Sequence, residues 1–335
     1  MHGSSAVSGT RRLTPAEVDE VLALARAAGT ADGADPLAEH VLLRLRQPDA
    51  PATHLTVRTA DGVLAGYAYL EPDEPGGPDG SGGSDESGGP VAGTMAELVV
   101  HPEHRRRGVG RALAERVAAT PGPLRLWAHG DHPSAAALAV DLGFRRARML
   151  WQLRRPLGPT LPETPLPAGV RLRAFRPGLD DEAWLAVNGR AFASHPEQGR
   201  WSLADLRLRL AEPWFDPAGF LLAVEESGDR LLGFHWTKLH GDGEPHGEGG
   251  PPGERGAHGE PGPHRIGEVY VLGVDPSAHR GGLGRALTVA GLAYLRDRGV
   301  ARVMLYVDES NASAVALYER LGFAHWAAHV HYRRD

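Results

Sequence analysis

The same order of hydrophobic and polar positions occurs twice in the chain, once in each half. Each copy opens with an apolar run that predicts a strand, ELVV at 97–100 and VYVLGV at 269–274. A turn with HP or DP, a glycine-rich loop and a helix with apolar residues at helical spacing come next. A second apolar strand and a short helix complete each copy, and both helices end in LGF, where Gly143 and Gly322 predict C-caps. The repetition predicts two tandem copies of one structural unit.

Further elements of the same kind precede each copy. Alternating hydrophobic and polar residues predict two antiparallel strands, joined by turns at 61–62 (Asp-Gly) and 228–229 (Gly-Asp). Upstream of each strand pair, helical spacing predicts a helix, over 14–29 and over 180–192. We therefore expect each half to be an α+β domain (mixed α/β), in which helices flank a mixed, mostly antiparallel sheet.

A proline-rich segment divides the chain near its middle. PLGPTLPETPLPAG, at 156–169, has no hydrophobic periodicity and predicts a semi-rigid linker. We expect one domain over 1–155 and a second over 170–335. The length of 335 residues agrees with about two domains.

Two tracts rich in glycine and proline, 71–90 and 240–264, predict disordered surface insertions. Neither tract can bury enough apolar surface to offset the entropy of ordering. The second tract contains four histidines that could bind a metal, but their irregular spacing among glycines and prolines favours an insertion without a metal site. These histidines are His240, His246, His258 and His264.

Composition narrows the class of protein. The chain has no cysteine, which excludes disulfides and thiolate chemistry and fits a reducing cytoplasm. A net charge of −6 gives no reason to expect a nucleic-acid partner. The N-terminus lacks the apolar core of a signal peptide, and no apolar run could span a bilayer. We expect a cytoplasmic protein without nucleic-acid or membrane partners; the sequence does not fix the oligomeric state, and a monomer is one expectation.

The two glycine-rich loops, RRRGVG at 105–110 and HRGGLG at 279–284, each join a predicted strand to the start of a helix. Backbone N–H groups and the helix dipole make such a junction an anion site. Gly282 and Gly284 allow close approach, and Arg280 adds positive charge. A Walker A loop is excluded because the Gly-Lys-Ser/Thr ending is missing, and a dinucleotide-binding loop because the third glycine is missing. The expected ligand carries a phosphate or a pyrophosphate.

The second loop, with its preceding strand and the downstream pattern N-x-x-A-x-x-x-Y-x-x-x-G-F, resembles the GNAT superfamily of acyl-CoA N-acyltransferases. The resemblance implies two tandem GNAT-like domains, in which the loop holds the CoA pyrophosphate. It also implies that the strand before the loop pairs with the pantetheine amides. This chain has His279 where the family commonly has Gln or Arg.

The CoA contacts implied by the resemblance lie on a strand, a loop and a helix start. In the second copy they are Leu272, Gly273, Val274, His279, Arg280, Gly281, Gly282, Leu283, Gly284, Arg285, Asn311, Ala312, Ser313, Ala314, Val315 and Ala316. In the first copy they are Leu98, Val99, Val100, Arg106, Arg107, Gly108, Val109, Gly110 and Arg111.

Five short motifs narrow the resemblance: AELVVHP, HPEQG, WFDPAG, GFHWTK and GEVYVLGVDP. In this tandem arrangement they resemble the mycothiol synthase family over nearly the whole chain, apart from the two Gly/Pro tracts. That family uses acetyl-CoA to acetylate the cysteinyl amine of Cys-GlcN-Ins, which gives mycothiol. The resemblance implies an acetyl-CoA-dependent acyltransferase with a small-molecule acceptor and without a metal.

The repeat provides an internal comparison of the groups needed for proton transfer. Acetyl transfer to an amine needs a base for the ammonium proton and gains from an acid for the leaving thiolate. In the alignment of the two copies, Glu268 falls opposite Thr94 and Tyr318 falls opposite Ala139. We predict that the C-terminal half is catalytic, with Glu268 as base and Tyr318 as acid. The alternatives are a glutamate that faces solvent and an aromatic residue that only packs its helix.

Four residues outside the glycine-rich loops are candidates for the acceptor site. Lys238 is the only lysine of the chain, so it is either functional or a chance survivor. Glu197 lies in a loop suited to line a cleft or to face solvent, Tyr306 could face the site or the core, and Glu39 by itself indicates a solvated helix face. The resemblance implies that the acceptor contacts are Glu39, Glu197, Lys238, Glu268 and Tyr306.

Two other functions fit the same motifs. The first is a GNAT enzyme for another small amine or a peptide N-terminus, although Lys238 argues against a polycationic acceptor. The second is an acyl-CoA-binding regulator without catalysis, which would be expected to lose the proton-transfer pair from both halves.

Overall fold

The structure is a computed structural model of the chain. It describes residues 6–47, 51–72, 93–193, 198–241, 265–278 and 281–335. Glu197, His279 and Arg280, together with nearly all of both Gly/Pro tracts, lie outside the described residues.

The order of helices and strands is the same in the two halves, as the repeat predicts. The first half contains β1 (Val7–Thr10), α1 (Pro15–Asp32), α2 (Glu39–Leu45), β2 (Thr53–Arg58), β3 (Leu64–Pro72), β4 (Thr94–Val100), α3 (Val109–Ala118), β5 (Leu124–His129), α4 (Pro133–Asp141) and β6 (Arg145–Pro156). The second contains β7 (Val170–Ala174), α5 (Asp181–Ala191), α6 (Leu203–Leu210), β8 (Phe220–Glu225), β9 (Leu231–Leu239), β10 (Ile266–Val274), α7 (Leu283–Asp297), β11 (Arg302–Asp308), α8 (Ala312–Arg320) and β12 (Ala324–Arg334). The expected α+β class is confirmed.

The strands of both halves form one continuous sheet. Within the described ranges its order is β1-β2-β3-β4-β5-β12-β6-β11-β10-β9-β8-β7. The two halves exchange their last strands, because β6 pairs with β11 of the second half and β12 pairs with β5 of the first. The interpretation of 156–169 as a linker stays a prediction. Because of the exchange, the last strand of each half pairs with strands of the other half.

Each half has one parallel strand pair that separates part of the way along. The strands β4 and β5 pair only over Thr94–Glu97 of β4, and β10 and β11 pair only over Ile266–Val269 of β10. Beyond these points β5 and β11 continue in antiparallel pairs with β12 and β6. The ends of β4 and β10, including 98–100 and 272–274, therefore face a gap in the sheet.

Helices cover both faces of the sheet, and alternation along the strands decides which residue meets which helix. In the first half, α3 packs against Leu55, Ala68 and Val330 on one face, while α1 and α2 pack against Tyr67 and Tyr69 on the other. In the second half, α7 and α8 cover one face and α5 and α6 the other. Apolar side chains are buried on both faces of the central strands, as expected for a sheet covered on both sides.

Candidate active site

A cavity of about 480 Å³ lies between α1–α2 of the first half and the sheet of the second half. Glu39 lines it from α2, and Lys238, Glu268 and Tyr306 line it from β9, β10 and β11. Four of the five acceptor residues that the resemblance implies are therefore brought together. The fifth, Glu197, lies outside the described residues.

An ion pair between the two halves crosses this cleft. Lys238 Nζ lies 2.7 Å from Glu39 Oε1, and the hydroxyl of Tyr270 donates a hydrogen bond to Glu39 Oε2. Arg209 Nε donates to the Tyr270 oxygen at 2.9 Å and lies 3.9 Å from Glu39 Oε2. Burial alone would raise the pKa of Glu39, but the positive charges of Lys238 and Arg209 lower it overall. Glu39 is thus an ionised group held by three side chains, unlike the solvated helix residue that the sequence alone suggested.

Aromatic rings surround the ammonium of Lys238. Its Nζ lies 4.8 Å from the centre of the Trp214 ring and 5.6 Å from that of Tyr270. Rings at these distances attract a cation through their quadrupoles. The only lysine in the chain is therefore in a defined position inside the cleft.

Glu268 is buried in the wall of the cleft, with 6% of its surface exposed. It lies opposite Lys238 of β9 and Met304 of β11 in the strand register, one residue before β10 and β11 separate. Its Oε2 atom lies 2.7 Å from Nε2 of His240. The interpretation of Glu268 as a strand-end glutamate that faces solvent does not fit this position.

His240 corrects one expectation from the sequence. We expected the tract 240–264 to be a surface insertion from its first residue, but His240 is 4% exposed and lines the cleft. The backbone continues the pairing of β9, since the N–H of His240 donates to the carbonyl oxygen of Ile266 at 3.1 Å. Alternation along the strand places His240 on the same face as Lys238. The alternation of β9 was not recognised as far as His240 because a glycine-rich sequence follows it.

Tyr306 faces the cleft rather than the core. It is the first residue of β11 beyond the pairing with β10, and its hydroxyl accepts a hydrogen bond from Gln152 Nε2 at 2.8 Å. Desolvation, together with the negative charge of Glu268, raises the pKa of Tyr306, so that the phenol stays neutral at physiological pH. Gln152 belongs to β6, the strand contributed by the first half.

Tyr318 lies on the other face of the sheet from Glu268. It packs from α8 in a cluster with Val269 and Leu305, and its ring centre lies 5.7 Å from that of Phe323. Burial raises the pKa of Tyr318 to about 12, which keeps a proton on the phenol. The structure therefore places the two predicted proton-transfer groups on opposite faces, on either side of the gap between β10 and β11.

Both glycine-rich loops lead into helices in the same way. Gly108 precedes α3 with φ 86°, and Gly282 precedes α7 with φ 87°, which is the left-handed region that glycine tolerates. Gly108 and Gly282 have no side chain with which to cap the helix, so the first N–H groups of α3 and α7 face the loop. The side chains of Val109 and Leu283 are buried, so these two predicted CoA contacts can act only through the backbone.

The predicted CoA contacts that the structure describes have different partners in the two copies. In the first copy, Arg111 pairs with Asp141 at 2.6 Å, and Arg106 adopts φ 61° with its guanidinium 3.4 Å from Ser134 Oγ. In the second copy, Asn311 caps α8 by accepting the N–H of Ala314 at 3.2 Å. The first copy has an alanine at position 139, where the sequence of the second copy has Tyr318.

Sequence reasoning missed three residues of the site: Arg209, His240 and Tyr270. Tyr270 follows Glu268 at a spacing of two, so strand alternation could have identified it. No sequence signal marks Arg209, because the helix α6 that carries it was not predicted. Within the described ranges, no group of three or more acidic or histidine side chains could hold a metal ion, and no helix is long and apolar enough to cross a bilayer.

The fold and the cleft define an acetyltransferase enzyme of the GNAT class. The model of the acetyltransferase (GNAT) family matches twice, over residues 20–144 and 189–323. A tandem GNAT protein from the clavulanic acid biosynthesis pathway has a TM-score of 0.65 at 22% identity, with 98% of each chain covered. A GCN5-related N-acetyltransferase from Sphaerobacter thermophilus has a TM-score of 0.62 at 23% identity, with 98% of this chain and 95% of that one covered.

Relatives with higher identity make the assignment more specific. A mycothiol acetyltransferase from Salinispora arenicola is 66% identical, over 99% of this chain and 98% of its own. A mycothiol acetyltransferase from Thermobispora bispora is 52% identical, over 96% of this chain and 98% of its own. The chain belongs to the mycothiol acetyltransferase family, as the motifs predict.

Proposed function

We propose that the protein transfers the acetyl group of acetyl-CoA to the cysteinyl amine of Cys-GlcN-Ins and so forms mycothiol. The observation that carries this proposal is the shared cleft, where Glu39 of the first half meets Lys238, Glu268 and Tyr306 of the second. Its volume of about 480 Å³ is typical of sites for small molecules. Its ionised and hydroxyl groups suit a polyhydroxylated acceptor, whose buried hydroxyls need partners.

The gap between β10 and β11 is the expected place of acetyl transfer. The edge of β10 at 272–274 can pair with the pantetheine amides, and the loop before α7 can hold the pyrophosphate at the helix start. The thioester would then lie between the two faces of the sheet. Glu268 would act on the amine from the cleft, while Tyr318 would act on the sulfur from the opposite face.

The protons balance with these two groups. Glu268 takes a proton from the ammonium, directly or through water, and the free amine attacks the thioester carbonyl. The C–S bond breaks, and the thiolate takes the phenolic proton of Tyr318. After the attack the nitrogen loses a second proton, which reprotonates the Tyr318 phenolate through solvent. Glu268 releases the first proton to solvent, and the products are the amide and the free CoA thiol.

The first half has a structural part in this site, since it contributes Glu39 and strand β6. It keeps a loop of the CoA-binding type, but Ala139 is aligned with Tyr318 in the sequence. The sequence alignment of Thr94 with Glu268 is shifted by one residue by the bulge in β10, since the register places Met95 opposite Glu71 as it places Glu268 opposite Lys238. We propose that its own loop binds CoA without catalysis.

An assay of CoA thiol release tests the proposed acceptor. Acetyl-CoA would be supplied with Cys-GlcN-Ins, a panel of aminoglycosides and a panel of peptides in parallel. We expect the highest kcat/KM for Cys-GlcN-Ins. Turnover of a peptide but not of the cysteinyl sugar would instead favour a GNAT enzyme for peptide N-termini, and absence of turnover with every amine would favour an acyl-CoA-binding regulator.

The substitution Glu268→Gln tests the proposed base. It keeps the size of the side chain but removes the proton acceptor, so kcat/KM should fall by about 10²–10⁴. Thr94→Val, at the position of the first half that the sequence alignment matches to Glu268, is the control and should leave turnover near wild type. The assay covers about pH 6 to 9, because the pKa of a general base lies near the working pH. Wild-type turnover by Glu268→Gln over this range would rule out the role of Glu268 as base.

A further inference from the structure

His240 is a buried titratable group that directly contacts the proposed base. Its Nε2 lies 2.7 Å from Glu268 Oε2, and both side chains are buried in the wall of the cleft. The position is set by the sheet, since Lys238 is opposite Glu268 in the register and the N–H of His240 binds the carbonyl of Ile266. The contact therefore belongs to the paired part of β9 and β10.

We propose that His240 is a positioning residue for Glu268, and that the two side chains gain and lose their first proton as one unit. This inference rests on the proposed role of Glu268 as the base. His240 holds one carboxylate oxygen, which leaves the other oxygen for the acceptor amine or for a water molecule.

Geometry gives the first reason for this role. A buried carboxylate oxygen without a hydrogen-bond partner is costly, and a carboxylate with one fixed oxygen keeps its orientation. A ring nitrogen at 2.7 Å supplies that partner in the state in which Glu268 is ionised and His240 is neutral. This is the state that can accept a proton from an ammonium group.

Coupled titration gives the second reason. A carboxylate next to an imidazole stabilises the imidazolium, so the proton uptake of each side chain depends on the charge of the other. The pH at which the enzyme loses its base should therefore depend on His240 as well as on Glu268.

Among the residues that the structure describes, the other charged groups near the pair are held in other contacts or have shifted pKa values. Lys238 is paired with Glu39, whose pKa is lowered, and burial raises the pKa of Tyr270 and of Tyr306. Burial lowers the pKa of His329 to about 3. The remaining ionisable side chains that line the cleft are Arg26, Asp35, Arg46 and His129. Of these four residues, His129 carries an imidazole. Its Nδ1 contacts His329 rather than Glu268.

The pH dependence of kcat in His240→Gln tests the inference. The glutamine can still donate a hydrogen bond to Glu268, but it cannot titrate. We expect the acidic inflection of kcat to move to lower pH by about one unit or more, with KM for acetyl-CoA unchanged. His129→Gln is the matched control and should leave the inflection in place. An unchanged inflection in His240→Gln, or an inflection that moves in His129→Gln instead, would overturn the inference.

An NMR titration keeps the inference testable if His240→Gln does not fold. The imidazole of His240 would be followed in the wild type and in Glu268→Gln, without substrate. We expect its midpoint to fall in Glu268→Gln, because the carboxylate charge is removed. Identical midpoints would overturn the coupling whatever the acceptor is, so this result is separate from a failure of the proposed reaction. Full activity of Glu268→Gln would overturn the base and this inference together.

Discussion

At the scale of single residues, the cleft depends on groups that hold the predicted contacts in place. Glu39 reaches the site from the first half, and Tyr270 and Arg209 of the second half fix its carboxylate. The contact of Glu39 with an acceptor stays a prediction, but its position next to Lys238 explains why a compact ammonium is suitable there. An arginine would place a larger planar group against the same two rings.

Tyr270→Phe should weaken acceptor binding. The change removes the hydroxyl that donates to Glu39 and keeps the ring beside Lys238. A hydrogen bond to a charged group contributes about 1.5–3 kcal/mol, so KM for the acceptor should rise about tenfold or more while KM for acetyl-CoA stays constant. Steady-state kinetics with each substrate varied measures both values. Tyr67→Phe, which removes a buried hydroxyl bonded to His54 away from the cleft, is the control.

His235 should make the fold less stable in acid. It is fully buried, donates from Nδ1 to the Leu287 carbonyl at 2.8 Å, and has its pKa lowered by burial to about 4. The unfolded chain would bind the proton near pH 6.5, so this stability is present above that pH and is lost as the pH falls toward 4. Between pH 7 and 5 the loss is about 2 kcal/mol.

Urea denaturation at both pH values measures this effect. The comparison is His235→Gln, which does not titrate and should lose about 2 kcal/mol less over the same interval. Equal losses in the two proteins would show that His235 does not titrate on unfolding.

The sequence indicated some site residues better than others for physical reasons. Glu268 and Lys238 lie in strands with clear alternation, so their shared face could be inferred from two local patterns. The pairing of Glu39 with Lys238 depends on contacts between distant segments, which no local pattern carries. His240 was missed because it is the first residue of a glycine-rich tract, so the alternation of β9 cannot be followed beyond it.

At the scale of elements, two corresponding glycines let the helices after the loops approach the sheet. Gly66 of β3 is opposite Val100, and Gly233 of β9 is opposite Val274. A Cβ atom at Gly66 would lie 2.7 Å from Val109 Cγ1 of α3, and one at Gly233 would lie 3.1 Å from Leu287 Cδ1 of α7. The close approach brings each helix start to the edge where its strand pair separates.

Gly66→Ala and Gly233→Ala should each lower the free energy of unfolding by about 1–3 kcal/mol, because the added methyl group overpacks a filled interface. Gly228→Ala is a matched control, since nothing lies within 4 Å of its Cβ position. Chemical denaturation of the three variants measures the difference. Wild-type stability of both Gly66→Ala and Gly233→Ala would mean that the helices can shift without cost.

One strand that the sequence did not predict, β6, depends on the other half, whereas the unpredicted β1, β7 and α6 pair or pack within their own half. The strand β6 contains Arg145, Arg146, Arg148, Arg154 and Arg155, which obscure its alternation. Its partners are β11 and β12, so both its edges are satisfied by the second half. The strands of the repeat itself were predicted because their hydrophobic runs and turns are local.

At the scale of the whole molecule, the exchange of β6 and β12 joins the two halves into one sheet. Leu153 of β6 is 2% exposed and lies in the core of the second half, with Leu292 and Leu305. The ion pair between Glu39 and Lys238 crosses the same division at the cleft. The acceptor site should therefore keep its shape only while both halves are folded.

Leu153→Ala should destabilise the whole chain by about 2–5 kcal/mol, as expected when a buried leucine leaves a cavity. Because β6 connects to the first half and packs in the second, we expect one cooperative transition that shifts as a unit. Differential scanning calorimetry measures this. Two separate transitions, with only one shifted, would show that the halves unfold independently despite the exchanged strands.

The strand exchange also affects how the protein is made on the ribosome. The edge of β5 stays open until β12, which ends at Arg334, has left the exit tunnel, because no earlier segment takes that place in the sheet. An open strand edge is a site for pairing with other chains. During synthesis the first half should therefore need protection, such as binding to a chaperone, until translation of the chain is complete.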